Sequence, residues 1–358
     1  MKATHPPLIY DLTLPELTAW VTAQGEPAYR GRQIWEGLYR HLWQQPEEFT
    51  TLPKRLRTAL GDAFAFQPLE PAAVLTSTDG ETHKTLFRLP DGVQIETVRM
   101  RYIRRRTLCI STQAGCAMGC AFCATGQMGL RRNLSAGEIV AQVLYYARWL
   151  RQSGERVTNI VFMGMGEPFH NYEATMRAID ILNHPQGFAL GARRMTISTV
   201  GLVPQLRRFT RERRQVNLAV SLHAADDDLR SSLIPINRKY PLAMLLEAIR
   251  EYLAATHRRV TFEWALIRDV NDDEAQARKL AALLRGMLAH VNLIPLNPTQ
   301  GYAGKASSRQ RARAFCDVLT QAGVPCTVRL RRGIDIQAGC GQLASREAQG
   351  LDFVLKSE

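Results

Sequence analysis

Long apolar runs are missing from this chain of 358 residues. None approaches the ~18 consecutive apolar positions that a membrane-spanning helix needs, which excludes a helical membrane protein. The opening MKATHPPLIYDL holds no apolar core of the kind that marks a secretory signal, so the expected location is the cytoplasm. Cysteine is scarce, odd in number at seven residues, and clustered. In a reducing compartment such cysteines bind metal or do chemistry more often than they form structural disulfides. Acidic residues are also short: 33 Asp and Glu face 46 Lys and Arg, a formal net charge of +13.

The basic excess is bunched, at Arg104 to Arg106, Arg131-Arg132, Arg193-Arg194, the group Arg207, Arg208, Arg211, Arg213 and Arg214, and Arg329, Arg331 and Arg332. Bunching of this kind points to a polyanionic partner, RNA or DNA. The competing reading is a basic but inert surface.

With 46% hydrophobic residues the chain can bury a core large enough for one sizeable domain and an added module. Residues 1–65 read as a helical bundle whose basic outer face suits RNA, with Ile34, Trp35, Leu38, Tyr39, Leu42 and Trp43 on one helical stripe. Residues 66–103 read as a β-extension of two hairpins, turning at Asp79-Gly80 and Pro90-Asp91-Gly92. Residues 104–345 alternate β-rich runs (TLCIST, VTNIVFMG, RRMTIST, VNLAVSLH, VTFEWAL, HVNLIPL, PCTVRL) with helical stretches, which predicts an α/β fold with a parallel sheet or barrel. Residues 346–358 form a tail. Two capping boxes, Ser135 with Glu138 and Asn271 with Glu274, are expected to open core helices.

The stretch GCAMGCAFCATG sets Cys116, Cys120 and Cys123 in a C-x₃-C-x₂-C array, in the loop after the first core strand. Sites in parallel α/β folds gather at the carboxyl ends of strands. No fourth cysteine follows closely. A structural zinc site wants four ligands, which here requires a distant partner such as Cys109, Cys340 or a histidine. A cubane iron–sulfur cluster held by three thiolates leaves one iron free for a substrate ligand.

The array, with Phe122 before its last cysteine, resembles the signature of radical S-adenosylmethionine (SAM) enzymes, and GMGEP at 164–168 resembles their glycine-rich SAM segment. Six segments in order, CISTQAGCAMGCAFCATGQMGLRRNLSAGEI, MGMGEPFHNY, ISTVG, SLHA, PLNP and RRGIDIQAGCGQL, resemble the RlmN/Cfr RNA methyltransferases, in register from the first helices to about residue 345. That resemblance implies a partial (β/α)6-type barrel carrying the helical bundle and β-extension. It also implies a [4Fe-4S] cluster on Cys116, Cys120 and Cys123, with SAM on the fourth iron.

Family members methylate an electron-poor adenine carbon, for which direct transfer from electrophilic SAM is mismatched. One SAM methylates a protein cysteine, and a second, reductively cleaved, generates the radical that carries this methyl carbon to the base. By resemblance Cys340 is the methylated cysteine. Cys109 is the one that resolves the RNA adduct through a transient disulfide, and Glu96 is the proton acceptor. Gly166 and Glu167 are expected at the methionyl amine, with Ser198, Ser221, Leu222, His223 and Asn297 around the ribose, carboxylate or adenine. Cys316 and Cys326 match no catalytic position.

The expected partners are 23S rRNA, tRNA and a flavodoxin-type electron donor, acting on a monomer. Ala114, where enzymes methylating C8 usually have an extra cysteine, favours methylation at C2. C8 methylation stays open as the alternative within the family. Outside it stand a radical-SAM enzyme of other substrates and a zinc-stabilised, non-catalytic RNA-binding protein.

Overall fold

The computed structural model describes residues 6–297, 299, 301–329, 333, 335, 336 and 342. Three helices open the chain: α1 (Leu14–Ala23), α2 (Tyr29–Glu36) and α3 (Lys54–Ala63). Thr13 and Glu16 close a capping box at the start of α1. Ile34, Trp35, Leu38 and Tyr39 are buried as their spacing predicts. The stripe ends sooner than expected, because α2 passes into a π-helical turn, Gly37–His41, and Leu42 is left-handed (φ 62°). Leu42 and Trp43 are only half-buried in consequence.

Strands β1 (Glu70–Thr76), β2 (Thr82–Arg88) and β3 (Gln94–Tyr102) form the two expected hairpins. They are not a separate sheet. β3 pairs antiparallel with β4 (Arg105–Cys109), the first strand of the core. A small ribbon of β5 (Gln113–Gly115) and β6 (Leu130–Asn133) brackets the short α4 (Ala124–Gln127).

The core then alternates α5 (Ala136–Arg151), β7 (Asn159–Phe162), α6 (Tyr172–Asn183), β8 (Met195–Thr199), α7 (Val203–Glu212) and β9 (Asn217–Ser221). It continues through α8 (Asp227–Leu233), α9 (Leu242–Thr256), β10 (Val260–Leu266), α10 (Glu274–Leu283), β11 (Ala289–Pro295), α11 (Arg309–Gln321) and β12 (Cys326–Val328). The ten strands of the main sheet run β1-β2-β3-β4-β7-β8-β9-β10-β11-β12, parallel from β4 onward. Six of the parallel strands are each followed by a crossover helix, giving an open six-fold β/α barrel, and β12 adds a short seventh at the edge. All seven β-rich runs read from the sequence are strands.

One core joins the helical module to the barrel. The joint is α5. Its N-terminus is capped by Ser135, with Glu138 reaching back as the spacing predicts, and by Asp11, whose Oδ1 accepts from Gly137 N at 2.6 Å. Near its C-terminus Arg148 donates to Leu42 O and Tyr10 Oη, and Arg151 donates to His41 O and Arg40 O.

The second expected capping box is not formed. Asp273 caps α10, accepting from Gln276 N. Asn271 is wholly buried instead, accepting from Ile267 N and donating to Ala265 O and His223 O. Its amide satisfies the backbone at the end of β10, a use a carboxylate-seeking cap pattern does not reveal.

Candidate active site

The loop that follows β4 is fixed before it reaches the cysteines. Gln142 of α5 is fully buried; its Oε1 accepts from Ser111 N (2.9 Å) and Thr97 Oγ1 (2.8 Å) while its Nε2 donates to Ser111 O (2.9 Å). Asn171 donates to both Thr112 O and Leu134 O at 2.8 Å. Gly115 then turns with φ +75°, and a Cβ there would meet Gly129 O at 1.9 Å, so the ribbon closes only on glycine.

Cys116 and Cys120 are buried and Cys123 is half-buried on this loop. Burial pushes the Cys116 thiol up to about 12 and raises those of Cys120 and Cys123; charge on one thiol also raises its neighbours. Three crowded, desolvated thiols hold protons until a cationic group replaces them, which is the donor chemistry a thiolate-bound cluster requires. Among the described residues no three His, Cys, Asp or Glu side chains converge closely enough to hold a single metal ion. The three cysteines instead line one cavity of about 290 Å³ at the carboxyl ends of the strands.

Across that cavity lies the GMGEP turn. Gly166 has φ +102°, and a Cβ on it would come within 2.6 Å of the Gln113 side chain. Gln113 Oε1 in turn accepts from Glu167 N at 2.8 Å. The Glu167 carboxylate accepts from Phe169 N (3.0 Å) and Val200 N (2.9 Å), yet burial raises it to about 7. A buried carboxylate with two backbone donors and, among the described residues, no ion-pair partner is suited to an ammonium group.

Ser198, Ser221, His223 and Asn297 complete the wall, as expected, with Glu263 of β10 and Arg329 beside them. Leu222 lies behind the wall in the core, its backbone N donating to Glu263 O. His223 is left-handed (φ 60°), its Nδ1 accepts from Ala265 N at 2.8 Å, and its ring meets the edge of Phe122. Burial, with Arg230 nearby, lowers it to about 3, so the imidazole is neutral. Arg230, buried and lowered to about 10 by desolvation, gathers the strand ends: it donates to Val200 O, Ser221 O, Leu222 O and Asn237 Oδ1.

Cys109 and Glu96 do not line the cavity but border it together: Cys109 lies against the Met163 backbone and Arg329 of the lining, and the Glu96 charge acts on Cys123. Cys109 pairs with Val98 across β3 and β4, and Glu96 lies two residues from Val98 on the same face. The Glu96 carboxylate forms an ion pair with Lys84 Nζ at 2.9 Å, both side chains buried. Burial pushes Cys109 up to about 11, opposed by the Arg329 guanidinium, which rests on Met100 Sδ at 3.8 Å. Cys340, the loop around it and the tail 346–358 lie outside the described residues.

Lys84, Glu263, Arg230 and Arg329 escape a motif-based reading. Only Glu263 leaves a local signal, a carboxylate inside the otherwise apolar strand VTFEWAL.

Many of the bunched arginines are ion-paired. Arg207 pairs with Glu247 and Glu251, Arg208 with Glu173 and Glu212, Arg214 with Asp180 and Glu212, Arg132 with Asp91 and Glu138, and Arg106 with Glu155. Much of the 207–214 run is therefore a solvated ion-pair lattice that supports α7, and the charge count alone overstates what it offers a polyanion.

Residues 110–281 match the family model of the radical SAM superfamily, and residues 9–65 match that of the ribosomal RNA large subunit methyltransferase N-terminal domain. The probable dual-specificity RNA methyltransferase RlmN of Roseiflexus castenholzii is 49% identical, covering 94% of this chain and 96% of its own. That of Chloroflexus aurantiacus is 51% identical, covering 97% and 95%. The dual-specificity RNA methyltransferase RlmN 1 of Myxococcus xanthus is 52% identical, covering 94% and 93%. The crystal structure of a radical SAM methyltransferase from Sphaerobacter thermophilus superposes with a TM-score of 0.92 at 55% identity, over 94% of this chain and 99% of that one.

Proposed function

Because the chain belongs to the RlmN family of radical-SAM RNA methyltransferases, we propose that it methylates C2 of an adenosine in 23S rRNA and in tRNA, with electrons from a flavodoxin-type donor. The observation that carries this reading is the single cavity in which Cys116, Cys120 and Cys123 face Glu167, Ser198, Ser221, His223 and Asn297. For C2 over C8 the support is Ala114, buried in β5 where C8 enzymes usually place a cysteine.

In this proposal Cys116, Cys120 and Cys123 hold a [4Fe-4S] cluster, and Glu167 and its neighbours hold SAM. Bound there, the pair supplies the one-electron chemistry that activates an otherwise inert methyl group. Glu167 meets the methionyl ammonium, fixed by the N–H groups of Val200 and Phe169. Ser198, Ser221 and Asn297 offer hydroxyl and amide groups to the rest of the ligand. Lys84 pairs with the buried Glu96 carboxylate and positions it to take the proton lost from the adenine ring.

Cys340 carries the methyl carbon, and once that carbon is bonded to both the Cys340 sulfur and the adenine ring, whose electron-poor system can take the electron pair, Cys109 attacks the sulfur. The bond from Cys340 sulfur to the new carbon breaks as the Cys109–Cys340 disulfide forms, the carbon takes up a proton, and an external dithiol reduces the pair. Cys109 is half-buried, and desolvation holds its thiol in the protonated form.

Mass spectrometry of nucleosides tests the reading. A 23S rRNA fragment and a tRNA, incubated anaerobically with reconstituted protein, SAM and reductant, should each yield 2-methyladenosine. 8-Methyladenosine would move the protein to the other branch, and unmodified RNA would overturn the substrate assignment.

A further inference from the structure

A second large recess lies at the opposite end of the barrel from the catalytic cavity. Arg104 precedes β4, Arg156 precedes β7 and Arg194 precedes β8, so all three stand where strands begin, whereas Gly164, Ser198 and Ser221 of the cavity stand where strands end. The recess is completed by Arg40 and Arg151, reaching in from the helical module and the end of α5.

All five guanidinium groups belong to exposed residues. Arg151 spends its hydrogen bonds on His41 O and Arg40 O, and Arg40 donates to Pro185 O, so these contacts knit the walls together without using carboxylates. The single carboxylate in the lining, Glu155, is engaged by Arg106. Glu36 approaches Arg40 at 3.9 Å across an exposed pair, a weak counter-charge. Among the described residues no carboxylate lies within ion-pair distance of Arg104, Arg156 or Arg194. This is the reverse of the 207–214 region, where each of Arg207, Arg208 and Arg214 has a carboxylate partner.

We propose that this recess binds the phosphate backbone of the RNA substrate at a point remote from the target adenosine. Three guanidinium groups with no carboxylate partner among the described residues, in one recess with Arg40 and Arg151, match a chain of phosphodiesters. The inference rests on the reading that the protein modifies RNA. It adds a substrate requirement: from Thr158 to Gly164 the strand direction spans about 20 Å, so one RNA engages both ends only if it is folded and large enough to reach around the barrel. A short oligonucleotide bearing the adenosine fills the cavity and leaves the recess empty.

The test is binding of a folded rRNA fragment and of a short oligonucleotide, measured by fluorescence anisotropy across a salt series. The wild type is compared with the triple variant R104Q/R156Q/R194Q and with R207Q as a charge control on the ion-paired face. For the folded RNA, the slope of log K against log salt should become shallower by about 2 in the triple variant, from roughly 0.7–0.9 per lost contact. The slope for the oligonucleotide, and both slopes for R207Q, should match the wild type.

An unchanged folded-RNA slope, or an equal change for both RNAs, overturns the remote site. If circular dichroism shows the triple variant misfolded, the three single variants carry the test, each with a shift just under one. Wild-type protein that binds neither RNA would instead overturn the functional reading itself.

Discussion

Lys84 Nζ and Glu96 Oε2 lie 2.9 Å apart on adjacent strands of the β-extension, with both side chains shut away from solvent. Removing one of the two leaves the other charge buried without this ion-pair partner. Lys84→Met should therefore cost about 3–5 kcal/mol in urea unfolding, while the double variant K84M/E96L should recover most of it. Glu96→Gln keeps the shape and removes the acceptor. Its methyl transfer should fall by ~10²-fold or more with the fold intact. A single K84M variant as stable as the wild type would show that the pair is not buried in solution.

Cysteines of the array and those elsewhere should separate cleanly. Cys120→Ala should lose most of the iron, sulfide and brown absorbance that anaerobic reconstitution gives the wild type. Cys316→Ala and Cys326→Ala, on α11 and β12, should keep them. Full cluster loading of the Cys120 variant would remove it from the donor set.

Arg230 ties together three carbonyls at the ends of β8 and β9 and the amide of Asn237. Arg230→Met leaves those oxygens buried without donors. A loss of ~3 kcal/mol or more is expected, read as a lower urea midpoint. A variant within ~1 kcal/mol of the wild type would mean that water satisfies the carbonyls.

His223 makes the fold acid-sensitive. An unfolded imidazole binds its proton near pH 6.5, and the folded one only near 3, because it is desolvated and its Nδ1 already accepts from Ala265 N. Its contribution is complete above the unfolded value and is lost as pH falls through that window, at about 1.4 kcal/mol per pH unit. Asn tolerates the left-handed backbone and does not titrate. His223→Asn should therefore lose less melting temperature than the wild type between pH 6.5 and 4, and parallel curves would refute the assignment.

Much of this was legible in the chain. The seven β-rich runs and the Ser135–Glu138 cap rest on local periodicity and short-range hydrogen bonding, and they appear where the residues place them. The array and GMGEP are loops whose chemistry is written in consecutive residues, so their convergence on one cavity follows once the strands are parallel. Lys84 and Arg230 were not legible, because their partners lie on other elements and a basic residue beside polar neighbours such as His83, Thr85 and Ser231 carries no mark of its burial. The early end of α2 turns on a π-helical turn that preserves composition while changing period. The arginine run at 207–214 misleads for a related reason: the carboxylates that neutralise it lie on α6 and α9.

Helix α5 is bonded to Asp11 and Tyr10 at the start of the chain, to Ser111 ahead of the cysteines, and to the carbonyls of Arg40 and His41 beside the basic recess. Its sixteen residues make a rod of about 24 Å. A rod pinned at both ends and in the middle behaves as a ruler. It holds the helical module at a set distance from the loop that carries the thiols.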